Sequence, residues 1–109
     1  MTTLAEAILK NIDTTDGDAG LAVAAVIMRE ANRRPHFAGG GVQGAGWDRH
    51  RGIGVQVQDE GQMIHLANAL SLHVETEKVK GYNSGQPGIG WGRKGSFAGF
   101  DVTIWYIEI

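Results

Sequence analysis

Cysteine is absent from this sequence. Its absence excludes a disulfide framework, a thiolate zinc site and a cysteine nucleophile. Serine is scarce, and Ser71, Ser84 and Ser96 all stand outside a G-x-S-x-G nucleophile turn. No apolar run approaches the ~18–20 residues of a membrane-spanning helix. Charge of one sign is lacking as well: the formal net charge is only −2, which gives no support to bulk attraction for nucleic acid or membrane. The N-terminus reads as an amphipathic, acid-bearing stretch and not as a signal peptide, so the expected compartment is the cytoplasm. No G-x-x-x-x-G-K-[ST] run exists for a P-loop.

What remains is a chain of 109 residues with 42% hydrophobic and 20% charged residues, sized for one globular domain with its own core. Its unusual abundance is glycine, 17 of 109, against an ordinary share of ~7%. The excess falls in two clusters, Gly39 to Gly54 and Gly81 to Gly99. This predicts two long permissive loops, at 38–52 and 81–96, and such loops are common places for function.

Thr3-Leu4-Ala5-Glu6 has the form of a capping box, and Leu4, Ala5, Ile8, Leu9 and Ile12 recur at helical spacing. A first helix is predicted over 3–12. Asp13, Asp16 and Asp18 read as acid placed against the positive end of a second helix over 17–33. No acid stands at the twelfth position from Asp13 or Asp16, so the cluster lacks an EF-hand register. Leu21, Ala24, Ala25, Met28 and Ala31 share a face, while Val23, Val26 and Ile27 extend the apolar surface nearly all round. Such a helix is expected to be central or an oligomer contact. Arg29, Arg33 and Arg34 suit its C-terminal end, and Pro35 helps to stop it. A short strand near 36–43 is an additional expectation.

Ile53, Val55 and Val57 alternate with Gly54, Gln56 and Gln58, a one-sided strand. Asp59-Glu60-Gly61 then starts a third helix with Met63, Leu66, Ala67 and Leu70 on one face. A strand over 73–80 and a terminal strand within 97–109 complete the chain. The last presents Phe100, Val102, Ile104 and Tyr106 on one side and Trp105, Ile107 and Ile109 on the other, so both its faces need cover. The first two helices or a second subunit would supply it, and a homo-oligomer, dimer first, is expected. The fold class is α+β: a small mixed or antiparallel sheet with helices packed on one face.

The run Val55-x-Val57, Leu66-Ala67-x-Ala69-Leu70-x-Leu72-x-Val74 and Gly99-Phe100-Asp101-Val102-Thr103-Ile104-Trp105 resembles short uncharacterised α/β proteins of actinobacteria and their phages. The resemblance spans about 53–109. It implies a small accessory protein, with no catalytic residue to carry over.

Two runs match G-x-G-x-x-G, at Gly39–Gly44 and Gly90–Gly95. The first follows a helix and the second precedes a strand, whereas a dinucleotide fingerprint must join a strand to a helix. A local echo carries more. Gly46-Trp47-Asp48-Arg49-His50-Arg51-Gly52 and Gly90-Trp91-Gly92-Arg93-Lys94-Gly95 each place a Trp two residues before an Arg, with a further basic residue after it. Residues 29–58 carry a net +3 and 78–97 a net +4, while 1–28, 59–77 and 98–109 are all negative. Trp47, Arg49, Arg51, Trp91, Arg93 and Lys94 are therefore the candidate binding residues. Arg beside a flat aromatic and free backbone N–H groups suits a phosphate and a stacked base. Trp and Arg are equally the residue types of protein-binding hot spots. The plainer alternative is that each Trp anchors its loop on the core while the cations are solvated.

His73, Glu75 and Glu77 share a strand face and would reach a metal with His65 or His50, yet an ordinary exposed strand has the same pattern. His36, His50, His65 and His73 lack an orienting carboxylate in sequence, and the pairs Asp59-Glu60 and Glu75/Glu77 are common without catalysis. No catalytic residue, metal or cofactor is assigned. The leading expectation is a small accessory protein that binds a cellular protein or its own copies. Behind it stands a binder of a nucleotide or single-stranded nucleic acid, and an enzyme comes last.

Overall fold

The computed structural model describes residues 3–12, 19–37, 41–48, 50–83 and 85–108. Helix α1 spans Leu4–Asn11 and α2 spans Ala19–Asn32, followed by a single 3-10 turn at Pro35–Phe37. Strands β1 (Gly44–Asp48) and β2 (Gly52–Val57) form a hairpin, and α3 (Glu60–Ala69) follows. Then come β3 (Val74–Glu75), β4 (Val79–Asn83), β5 (Gln86–Phe97) and β6 (Phe100–Glu108). The described strands form one mixed sheet in the order β1-β2-β6-β5-β3, with β4 also on β5. Only the β2–β6 pair is parallel. No helix of the described residues is long and apolar enough to cross a membrane.

Local chemistry explains the helix ends. The Glu6 N–H donates to Thr3 Oγ1 (3.1 Å) at the start of α1, and the Gln62 N–H donates to Asp59 Oδ1 (2.8 Å) at the start of α3. Each side chain satisfies a backbone donor that has no partner inside the helix. Helix α3 ends with Ser71 at φ 59°, the Leu72 N–H reaching back to Ala67 O and the Ser71 N–H to Asn68 O. This paired closure drops Leu72 into the core. Asp13, Asp16 and Asp18 lie outside the described residues.

One sheet face makes the core. Ile53, Val55 and Val57 stand beside Val102, Ile104 and Tyr106 in register, all buried, under Leu4, Ile8, Val23, Ile27, Met63 and Leu66 of the three helices. Helices on one face of a mixed sheet are the α+β arrangement that the patterning predicts. Helix α2 is less enclosed than expected. Val23, Ala24, Val26, Ile27 and Ala31 are buried, but Leu21 is 53% exposed, and Ala25 is open too. Glu30 on the same helix is buried at 5% exposure. Its Oε1 accepts from Arg33 Nη1 (3.0 Å) and from Asn11 Nδ2 of α1 (3.4 Å).

The largest departure from the sequence reading concerns the glycine-rich segments. They are not two long loops: residues 44–48 are strand β1, and 86–97 are the twelve-residue strand β5. Strand propensity counts against glycine, but here the tertiary contacts demand it. A Cβ at Gly88, Gly90 or Gly92 would run into the backbone of β6, at Glu108, Tyr106 and Ile104 respectively. Strand β5 therefore coils closely over β6. Gln56 Nε2 donates to the Tyr82 carbonyl (3.3 Å), so the β4–β5 hairpin reaches back over the outer sheet face as far as β2. The second side of β6 is thus covered from within the chain at Ile107, only 4% exposed below Gly81 and Gly90, while Thr103 and Trp105 stay half-buried. The strand expected over 73–80 is split into β3 and β4. In place of a strand near 36–43 there is the 3-10 turn, with residues 38–40 outside the described set.

Candidate functional site

The five candidate residues that the structure describes separate between the two faces of the sheet. Trp47 is in register with Ile53, so it points inward, and a Cβ on Gly20 of α2 would collide with its indole. It packs half-buried against the core from strand β1. Trp91 is in register with Tyr106 and also points inward. Its Nε1–H donates to Tyr106 Oη (2.9 Å), with the rings 6.0 Å apart in an edge-on arrangement. Burial raises the Tyr106 hydroxyl above its ordinary pKa against the lowering bond from Trp91, and the charges of Glu60 and Glu108 push it the same way as burial. Arg93 shares this inner side, its Nη1 donating to Asn68 Oδ1 of α3 (3.0 Å). Arg49 lies outside the described residues.

Arg51 meets Lys94 in one hollow and Trp47 in the next. Arg51 and Lys94 line a hollow of about 380 Å³ together with Thr103 and Asp101. Arg51 and Thr103 also line the neighbouring trough of about 490 Å³, floored by Gly46, Gly52 and Gly54 and bounded by Trp105. The two glycine-rich segments thus meet on the outer face through a cation from each. Trp105, which the sequence reading placed only on the second face of the last strand, lines this trough together with Trp47. Each of the two hollows also has one carboxylate, Asp48 in the trough and Asp101 in the other. Asp48 Oδ1 accepts from the backbone N–H of His50 (2.7 Å) and Arg51 (3.1 Å), and these bonds hold its pKa below the ordinary carboxylate value. Asp101 stands at the other hollow, so two acids balance two bases.

A second concave surface lies on the β4–β5 hairpin. Lys80 is in register with Ile89, and Tyr82 with Pro87, which puts Tyr82 and Ile89 on one side of the ribbon. Both are open, Tyr82 at 70% and Ile89 at 54% exposure. A hollow of about 380 Å³ is lined by Lys80, Tyr82, Pro87 and Ile89. It shares Gly88 and Ile89 with a hollow of about 420 Å³ lined by Lys78, Trp91 and Glu108. Sequence reading singled out Trp91 here and missed Tyr82 and Ile89. The signal available was the alternation across 79–83, which the glycines around it obscured.

The histidines and acids weighed for a metal do not converge. Among the described residues no three of His, Asp and Glu gather as a metal-holding set. Comparison with protein-family models, curated proteins and solved structures finds no match to the chain.

Proposed function

We propose that this chain is a small accessory binding protein that docks a protein partner on the side of its β4–β5 hairpin that carries Tyr82 and Ile89. The observation that carries the reading is the exposed apolar strip of Tyr82, Pro87 and Ile89 beside half-buried Trp91. Large apolar side chains grouped in open hollows are costly in water and are the usual anchors of an interface. Lys78 and Lys80 flank the strip, and they suit a partner surface with apolar side chains at its centre and carboxylates at its rim. The glycine backbone lets the hairpin present these side chains in a tight ribbon.

The test is affinity capture from cells that encode the chain, followed by titration of the purified partner. Tyr82→Ala and Ile89→Ser each weaken binding tenfold or more with the melting temperature unchanged. Full affinity in both variants would overturn the reading.

A second reading concerns the outer trough, where Arg51, Lys94, Thr103 and Trp105 offer cations and a stacking ring to a nucleotide or single-stranded nucleic acid. The sharing of Arg51 and Thr103 by the two hollows favours it. Asp48 and Asp101 cancel the cations, so the protein-binding reading leads. If phosphate binds here, affinity falls steeply with salt and Arg51→Glu abolishes it; indifference to both rejects this reading.

A further inference from the structure

The sheet ends in two unlike edges. Beyond β5 lie the two-residue β3 and the short β4, with Lys78 and Lys80 alongside and Pro87 opposite Tyr82. Short strands, lysine and proline are the devices that keep an edge from pairing with another chain. The opposite edge strand is also short but carries neither lysine nor proline. Strand β1 reads Gly-Ala-Gly-Trp-Asp, and among the described residues it pairs with β2 alone. Helix α2 packs chiefly on this same strand. The open side of α2 carries Leu21, exposed over half its surface, with Ala25 and Met28 at helical spacing after it. A strand edge without lysine or proline and a helix with an exposed apolar residue thus pack on each other at one end of the sheet.

We infer that two copies of the chain join along this margin, β1 pairing antiparallel with β1 of the second copy about a two-fold axis at Gly46. The strand is self-complementary in that register. Gly44 faces Asp48 of the second copy and Ala45 faces its Trp47, so small residues meet large or charged ones. The two Asp48 carboxylates fall at opposite ends of the ladder, separated by about 13 Å at ~3.3 Å per residue. The result is one continuous sheet through two subunits, a two-fold contact of the commonest kind. It lies on the opposite sheet edge from the β4–β5 hairpin and does not depend on the docking proposed there.

Sedimentation equilibrium and light scattering test the inference. The wild-type chain runs at twice its 11.7 kDa mass at micromolar concentration. Position 46 has nothing within 4 Å of an added Cβ, so Gly46→Lys and Gly46→Asp fit the subunit. Each places like charges on the axis and gives a monomer, and an equimolar mixture of the two returns to the doubled mass. Position 44 is equally open. Gly44→Lys sets an ammonium opposite Asp48 of the second copy and tightens the dimer several-fold. That variant also decides the matter if those at 46 fail to fold. A wild-type monomer up to about 1 mM, as expected if β1 instead receives a peptide of another protein, overturns the inference. So does a dimer indifferent to both changes at 46, or one weakened by Gly44→Lys.

Discussion

The six-membered ring of Trp105 rests over Gly54: a Cβ at that position would stand 2.8 Å from Trp105 Cζ3 and 3.1 Å from Cη2. The contact joins β2 to β6 on the outer sheet face, where neighbouring strands carry little side-chain cover. It gives glycine a packing role in a strand that otherwise alternates like any other. Gly54→Ala therefore forces the indole aside and destabilises the fold by about 1–3 kcal/mol, as overpacking does. Gly46→Ala, at the adjacent register position on β1, meets no atom and leaves stability nearly unchanged. Paired thermal melts check this, and equal melting temperatures for the two variants would contradict it.

Strands β5 and β6 are joined by Ala98 and Gly99, whose φ angles are 55° and 82°. Two positive φ values in a two-residue connection make a hairpin turn of the type that matches strand twist. Alanine is a poor occupant, because a Cβ in left-handed backbone costs roughly 1–2 kcal/mol. Ala98→Asn relieves part of that cost and raises stability by about 1 kcal/mol, or ~4–8 °C in Tm for a domain near this size. A lower or unchanged Tm would show that the turn does not hold this backbone in solution.

Tyr106 titrates above its ordinary range in the folded chain, chiefly because it is buried, and returns to that range on unfolding. Its contribution to stability is complete below the unfolded pKa, near 10, and is lost as pH rises through the higher folded value. Alkaline urea titrations thus show stability falling above about pH 10. Tyr106→Phe removes this part of the decline, while at neutral pH it loses the bond from Trp91 and is less stable than the wild type. An unaltered alkaline slope in that variant would reject the assignment.

Much of the fold was legible because it rests on local periodicity. The alternation of Ile53, Val55 and Val57 and of Val102, Ile104 and Tyr106 marks strands with one buried face. Thr3 and Asp59 mark helix starts, and the structure places both as caps. The binding residues were less legible. A Trp beside an Arg has the same spelling whether its indole turns inward or outward. Trp47 and Trp91 turn inward because their register partners, Ile53 and Tyr106, do.

From the sequence alone come the three helices, the strands at β2 and β6, the one-sided core and the segregation of positive charge into glycine-rich segments, since each follows from spacing along the chain. Strand order, the coiling of β5 over β6 and the convergence of Arg51 with Lys94 were decided only by tertiary structure. Glycine permits strand and loop alike. The choice between them depends on close approach of a distant backbone, and residues far apart in sequence supply that contact.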